Sequence, residues 1–200
     1  MSARERVMAR VREAVARRER TGHPGDFEGW RPAPYDGRVA GGGGPVEGFA
    51  DMIEAAGGEV VRQPTVDAAA AWLADFASGY ESVTVGSTVP AELRPQLAPA
   101  PPVSAALGVS MARAAIAETG SLVMDARDGR RSQLLAPTHV VFVRAGDVHA
   151  AFRDALRAVR PDLPSAIGLH SGPSKSADIG HIMVKGVHGP GRLVAVVIGG

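Results

Sequence analysis

The densest group of side chains that could do chemistry lies close to the end of the chain. Residues 170–179 read HSGPSKSADI and residues 186–190 read GVHGP, so hydroxyls, imidazoles and a lysine surround two Gly-Pro turns. Binding of a phosphate or carboxylate requires such a set of convergent hydrogen-bond donors. Both lysines of the chain, Lys175 and Lys185, lie here, among 22 Lys and Arg residues. We therefore expect the compact ammonium group of Lys175 to bind a small anion.

A metal site is the alternative interpretation of the same region. Asp178 and His181 are three residues apart and would share one face of a helix, and His188 lies in a following turn. However, a Gly-Pro pair directly follows His188, which is typical of a plain tight turn. We favour the anion-binding interpretation and expect no metal.

A second candidate is the carboxylate of Glu118. It stands in residues 115–121, AIAETGS, where an apolar, strand-like run is followed at once by Thr-Gly-Ser. A buried charge is costly unless it has a partner, so such a carboxylate is a candidate general base, nucleophile or ligand-binding group. A structural ion pair with Arg127, Arg130 or Arg131 explains the same residue equally well.

A weaker signal is TVGST at residues 84–88, where an apolar strand runs into a glycine and two hydroxyls. Amides and hydroxyls at a helix N-terminus suit a phosphate or carboxylate, but Ser and Thr there are more often helix caps. The chain has no Gly-x-Ser-x-Gly, no His-Glu-x-x-His and no dinucleotide-binding glycine fingerprint. Hydrolase, zinc protease and nicotinamide-dependent oxidoreductase are therefore disfavoured.

The elements that must position these groups alternate between helix and strand along the chain. Helices are predicted at 46–56, 66–77, 91–97 and 147–159, and strands at 59–62, 82–85, 105–109, 121–123, 140–143, 166–169 and 193–198. This order predicts an α/β fold with an open, mainly parallel sheet and helices on both faces. Such sheets bind ligands beyond the carboxyl ends of their strands, so we expect Glu118 and Ser174 to share a pocket at that edge.

The N-terminal part differs in composition from the rest. Residues 3–20 predict one amphipathic helix with seven arginines and three glutamates, which could dock on a partner or pack on its own domain. A Gly/Pro-rich stretch follows and closes with four glycines at 41–44, and it lacks the Lys-Ser/Thr of a phosphate-binding loop. We predict an arm over residues 1–44 and an α/β domain over residues 45–200.

Composition narrows the classes of function. The chain has no cysteine, which excludes disulfides, thiolate nucleophiles and iron–sulfur clusters held by its own thiolates. The formal net charge of +1 favours neither nucleic acid nor an anionic membrane as a partner. No apolar stretch is long enough to span a bilayer, and the N-terminus does not have the pattern of a signal peptide, so we expect a cytoplasmic protein.

Three motifs in a fixed order carry a family resemblance. AIAETGSLV at 115–123, SGPSKSADI at 171–179 and GVHGP at 186–190 resemble the lactate utilization protein C group of the LUD domain family. The resemblance implies the fold of the ribose-5-phosphate isomerase and CoA-transferase superfamily. It makes Glu118 the candidate catalytic residue. The ligand-binding positions, to which the charge argument adds Lys175, are Thr119, Gly120, Ser171, Gly172, Pro173, Ser174, Lys175, Asp178, His188 and Gly189.

The role that this resemblance implies is bacterial oxidation of L-lactate to pyruvate, together with iron–sulfur subunits. Because this chain has no cysteine, we expect the clusters in partner proteins and no cofactor on this chain alone. The favoured function is a non-redox component that binds a small anionic ligand. The alternative is a stand-alone enzyme of the sugar-phosphate isomerase or CoA-transferase type, with Glu118 as base or nucleophile. A scaffold with a vestigial site is a third possibility.

Overall fold

The computed structural model describes residues 2–17, 43–177 and 183–199. The chain divides into two compact units, Met1–Pro34 and Tyr35–Gly200. Two residues named above, Asp178 and His181, and the segment 18–42 lie outside the described residues. In the part of the chain that is described, no helix is both long and apolar enough to cross a membrane.

The first unit contains helix α1 (Ala3–Arg17). Its start is stabilised by a reciprocal cap between Ser2 and Glu5. The Glu5 amide donates to Ser2 Oγ at 3.2 Å, and the Ser2 amide donates to Glu5 Oε2 at 2.5 Å. The predicted N-terminal helix is therefore present.

The second unit alternates helices and strands, as predicted. Its helices are α2 (Pro45–Ala55), α3 (Val66–Ala77), α4 (Arg130–Leu134) and α5 (Phe152–Val159), with short 3-10 helices at Ala91–Leu93, Ala126–Asp128, Ala145–Asp147 and Arg160–Asp162. Its strands are β1 (Glu59–Gln63), β2 (Ser82–Val85), β3 (Ala98–Pro99), β4 (Leu107–Met111), β5 (Ala114–Ile116), β6 (Ser121–Asp125), β7 (Thr138–Arg144), β8 (Val148–His149), β9 (Ile167–His170), β10 (Lys175–Ala177), β11 (Met183–Lys185) and β12 (Arg192–Ile198). The helix predicted over 91–97 is only one 3-10 turn.

The main sheet has six strands in the order β1-β12-β7-β4-β2-β3, and all its pairings are parallel. Its central strands β7 and β12 are continuous apolar runs because both of their faces are covered. Helix α3 packs on one face through Ala69, Leu73 and Ala77. The predicted α/β architecture with a mainly parallel sheet is confirmed.

The other face of the main sheet is covered by α2 and by a second sheet, which the sequence analysis did not separate from the first. The second sheet has the order β8-β5-β6-β9, and β6 is antiparallel to both of its neighbours. Leu122 and Met124 of β6 share a core with Phe49 and Ile53 of α2. Helix α5 packs on the outer face of this sheet. Only Ala112 and Arg113 separate β4 of the main sheet from β5 of the second sheet.

Candidate functional site

Ser174 joins the two C-terminal motifs into one cluster. Its amide donates to the Pro190 carbonyl at 2.8 Å, and its own carbonyl accepts from the Gly186 amide at 3.0 Å. Its hydroxyl accepts from the His188 amide at 3.2 Å. Residues 171–175 and 186–190, which we call the motif cluster, are thus brought together by the backbone and one serine.

The motif cluster lies at the amino edge of the main sheet. The amides of Gly191 and Arg192 both donate to the Pro137 carbonyl, at 3.0 and 3.2 Å, and these residues stand where β12 and β7 begin. The sequence analysis placed the loop at a carboxyl edge of a single sheet. It does follow the carboxyl end of β9, but β9 belongs to the second sheet, so the expectation was wrong for the main sheet.

The first loop of the motif cluster is anchored on the C-terminal end of α2. Gly172 has φ +136°, and a Cβ added there would lie 3.1 Å from both the Cβ and the carbonyl oxygen of Ala56. The ammonium of Lys175 donates to the same Ala56 carbonyl. A cation is favourable at the negative end of a helix dipole, and an ammonium has three donors, so two remain for other partners.

A cavity of about 700 Å³ opens beside the motif cluster. Its walls are residues 103–106, Leu134, Leu135, Pro137 and residues 186–189. The rim is apolar and open to solvent, since Val103, Leu134, Leu135 and Val187 are 64%, 40%, 46% and 52% exposed. His188 and Ser104 supply polar side chains in its wall. His188 and Gly189, two of the predicted site residues, therefore line this cavity, and their binding of a ligand stays a prediction.

Glu118 has a different environment from the one expected. It is exposed, and its Oε2 accepts a hydrogen bond of 2.9 Å from the Phe152 amide at the start of α5. Ala151, the N-cap residue of α5, offers no side-chain cap, so Glu118 supplies one from a distant part of the chain. Pairing with Arg127 is not found, because Arg127 binds Asp125 and Asp162. The carboxylate caps a helix and is not buried.

Three hydroxyls next to Glu118 form a chain across the end of the second sheet. Thr119 Oγ1 lies 2.7 Å from Ser121 Oγ, which lies 2.6 Å from Ser171 Oγ. Ser121 is only 3% exposed. The two regions thus contact each other through Thr119 and Ser171. Ser121, the link between them, was not singled out from the sequence, although it closes the run AIAETGS. A pocket shared by Glu118 and Ser174 stays a prediction, because the Glu118 carboxylate binds the Phe152 amide.

Gly120 allows this end of the second sheet to approach α2. It has φ +60°, and a Cβ there would lie 2.5 Å from the Ile53 amide nitrogen and 2.7 Å from the Met52 carbonyl carbon. A residue with a side chain would collide with helix backbone, which cannot move aside as a side chain can. Gly120 therefore has a packing role beside the hydroxyl chain.

The loop that follows β2 binds a carboxylate of the chain itself, that of Asp128. The Thr88 amide donates to Asp128 Oδ1 at 2.7 Å, and Ser87 Oγ donates to the Arg127 carbonyl at 3.0 Å. A Cβ on Gly86 would lie 2.5 Å from the Asp128 carboxyl group. Asp128, which is 5% exposed, thus occupies the position proposed for an external anion.

Two histidines lie between the two sheets, near the motif cluster. His139 is fully buried, and its Nε2 lies 2.9 Å from Ser110 Oγ, while its Nδ1 has no partner among the described residues. The His170 ring lies edge-on to it at 6.1 Å. Burial, assisted by repulsion from His170, lowers the pKa of His139 to about 3, and burial also lowers the pKa of His170. His139 therefore stays neutral at pH 7.

Comparison with known proteins identifies the part of the chain that holds this cluster. Residues 103–198 match the family model of the LUD domain. This segment, just under half of the chain, is similar to the LUD domain family. The LUD domain thus includes the cavity walls, the hydroxyl chain and both loops of the motif cluster.

Curated relatives carry the name Lactate utilization protein C. The one from Deinococcus radiodurans is 38% identical over 90 residues, which are 42% of this chain and 42% of the relative. Lactate utilization protein C 1 of Bacillus mycoides is 30% identical over 103 residues, 48% of this chain and 44% of the relative. The matching part of the chain therefore spans less than half the length of these relatives. The resemblance read from the three motifs is confirmed.

A solved structure shares the fold. The crystal structure of a DUF162 family protein from Deinococcus radiodurans superposes with a TM-score of 0.62 at 21% sequence identity. The match covers 78% of this chain and 96% of the other. The two proteins therefore have the same architecture well beyond the LUD domain segment.

Proposed function

We propose that this protein is a non-redox component of a bacterial lactate-utilization system. In this proposal it acts with partner proteins that hold iron–sulfur clusters, and it binds a small anionic ligand at the motif cluster. The names of the relatives support the lactate-utilization role. The cysteine-free sequence supports the proposal that partner proteins hold the clusters, because this chain has no thiolate to ligate one.

The observation that carries the proposal is the meeting of the two motifs at Ser174, beside the cavity. Three hydrogen bonds hold Ser174 to residues 186, 188 and 190 of the second motif. Of the donors predicted for an anion, the Lys175 ammonium has spare hydrogen-bonding capacity, and His188 is exposed in the cavity wall. A carboxylate or phosphate bound beside the Lys175 ammonium would receive a charge-assisted hydrogen bond.

The size of the cavity suggests that a small acid is not its only occupant. A three-carbon acid occupies on the order of 100 Å³, given that a water molecule takes about 30 Å³ in the liquid. The cavity holds about 700 Å³, and its rim carries four exposed apolar side chains. We therefore propose that the anion binds at the motif cluster and that the apolar rim of the cavity contacts a larger partner.

The alternative of a stand-alone isomerase or CoA-transferase has less support. It requires Glu118 as base or nucleophile, and the carboxylate of Glu118 is occupied with the amide of Phe152. A group that caps a helix is held in place by that helix and not by a substrate. We therefore keep the binding component as the proposed function.

The anion site is tested by calorimetric titration with L-lactate, pyruvate and inorganic phosphate. Lys175→Ala should weaken the bound anion by about ten- to a hundredfold, since a charge-assisted hydrogen bond contributes about 1.5 to 3 kcal/mol. Lys185→Ala is the matched control, because Lys185 is exposed and pairs with Lys175 across the β10–β11 hairpin. Equal weakening by both substitutions, or no binding of any of the three anions at millimolar concentration, refutes the anion site.

The partner role is tested by purification from the native host. We expect the isolated chain to be colourless and the native complex to absorb in the visible range, with cysteine-rich proteins present in stoichiometric amounts. Stoichiometric iron or flavin in the isolated chain would contradict the proposal that this chain is a non-redox component.

A further inference from the structure

A second apolar surface lies on the outer side of the second sheet, away from the motif cluster. It is a groove of about 550 Å³ along α5 and the start of β9. Its floor is formed by Leu156 and Ile167, which pack on the core beneath, and its sides by Phe152 and Leu163. Phe152 and Leu163 are 37% and 55% exposed. We call this surface the α5 groove.

Three arginines border the α5 groove along one side of the helix. Arg153, Arg157 and Arg160 are spaced at i, i+4 and i+7, so their side chains form a row. The apolar residues Phe152 and Leu156, each one position earlier, form a second row beside it. The surface therefore presents an apolar stripe next to a basic stripe.

The basic stripe is not neutralised by its neighbours. Asp154 forms ion pairs of 3.6 Å with Arg153 and 3.5 Å with Arg157, and both arginine side chains remain 67% exposed. Among the described residues of α5 and the groove, three arginines thus share the single carboxylate of Asp154. Exposed ion pairs of this kind contribute little, so the arginines are free to exchange Asp154 for carboxylates of another molecule.

We propose that the α5 groove binds an amphipathic segment of a partner protein, with apolar side chains in the groove and Asp or Glu beside the arginines. Aromatic residues and arginine are enriched at protein interfaces, and an amphipathic helix can bind a groove through its apolar face. A membrane surface fits less well, because the helical part of the groove is only eight residues long and the whole chain has a formal charge of +1. This proposal is independent of the anion site, since the two surfaces share no residue.

The test uses a short synthetic helical peptide with Leu at i and i+4 and Glu at the positions beside them. Fluorescence anisotropy measures its binding to the full chain. A second peptide has Gln in place of Glu, and a third has Ser in place of Leu. We expect the Leu/Glu peptide to bind at least about tenfold more tightly than either, because the charge and the apolar contacts both contribute to binding.

Substitutions in the chain locate the binding surface. Arg157→Glu and Leu163→Ser should each weaken the Leu/Glu peptide by about tenfold or more. Arg144→Glu changes an exposed arginine at the end of β7 outside the groove and should alter binding by less than about threefold. Circular dichroism melts of all variants check that the fold is retained, and Arg157→Gln repeats the charge test without adding a carboxylate beside Asp154.

Four results would overturn the proposal. The first is no binding of the Leu/Glu peptide at millimolar concentration, and the second is equal binding of the Gln peptide. The third is tighter binding to vesicles of phosphatidylglycerol that depends on the same arginines, which would make the occupant a membrane. The fourth is self-association in sedimentation that Arg157→Glu abolishes, which would make the occupant a second copy of this chain.

Discussion

Replacing His139 by Phe should make the stability of the protein much less sensitive to mild acid. His139 is fully buried between the sheets, and burial lowers its pKa to about 3. The unfolded chain binds a proton on this imidazole near its ordinary pKa of 6.5, whereas the folded chain does not. Protonation therefore favours the unfolded state as the pH falls below 6.5, and the effect grows until the pH reaches about 3.

The expected magnitude follows from the two pKa values. At pH 5 the unfolded chain carries nearly one proton at this site, against about a quarter of a proton at pH 7, and the folded chain carries almost none at either pH. The free energy of unfolding should fall by about 2 kcal/mol from His139 alone, at about 1.4 kcal/mol per pH unit once the pH is well below 6.5. His170, whose pKa burial also lowers, should add to the loss in the wild type.

Carboxylates that are paired with arginines should not change the stability of the protein between pH 5 and pH 7. Although burial opposes it, hydrogen bonds from Arg127 and Arg113 keep the pKa of Asp125 below its ordinary value of 3.8. Stability from such a group is complete above its unfolded pKa and is lost only as the pH falls below about 4. The range from pH 5 to pH 7 therefore reports mainly on the histidines.

Urea unfolding at pH 7, 6 and 5 measures the effect. The wild type should lose at least about 2 kcal/mol over this range, and His139→Phe should lose about 2 kcal/mol less. Ser110→Ala is the control, because it removes the hydroxyl partner of Nε2 and leaves the buried imidazole in place. An equally steep loss in wild type and His139→Phe would refute the assignment of the acid sensitivity to this residue.

Three further substitutions test the contacts around the motif cluster. Gly120→Ala should destabilise the protein by at least about 2 kcal/mol, because Gly120 has φ +60° and the new Cβ would lie 2.5 Å from the Ile53 amide nitrogen. Gly146→Ala is the control, because Gly146 has open space around it, and it should change stability by less than about 0.5 kcal/mol. Urea unfolding compares the two, and equal effects would contradict the packing role. Lys175→Met should lower the melting temperature slightly, by the equivalent of about 0.3 to 1 kcal/mol, because it removes a cation from the end of α2. An unchanged melting temperature would show that this contact does not contribute to stability. Ser121→Ala should cost about 1 kcal/mol in the same assay because it removes the middle of the hydroxyl chain, and a neutral effect would mean that the chain is not maintained in solution.

Many helices and strands could be predicted because each of them depends on a pattern of neighbouring residues. The continuous apolar runs of β7 and β12 are typical of strands covered on both faces, and the side chain of Thr65 caps α3 as its position before the helix suggests. The alternation of such segments is enough to predict a parallel sheet with helices around it. The motifs at 171–179 and 186–190 were likewise recognisable from residue type and order alone.

The partners of the individual side chains could not be predicted, because they come from distant parts of the chain. Glu118 was interpreted as a buried carboxylate since it follows an apolar run, but the second sheet ends there and brings it to the start of α5. Asp128 was not considered as the anion beside Gly86, because 42 positions separate the two residues and only the fold brings them together.

The fold class, the family resemblance of residues 103–198 and the lack of any thiolate for a metal cluster follow from the amino-acid sequence, because each of these depends on composition or on a pattern of neighbouring residues. Three other properties follow only from the folded structure: the motif cluster lies at the amino edge of the main sheet, Lys175 contacts the end of α2, and His139 is buried and neutral. These properties depend on how two sheets pack against each other, and packing brings together residues whose separation along the chain carries no signal of their contact.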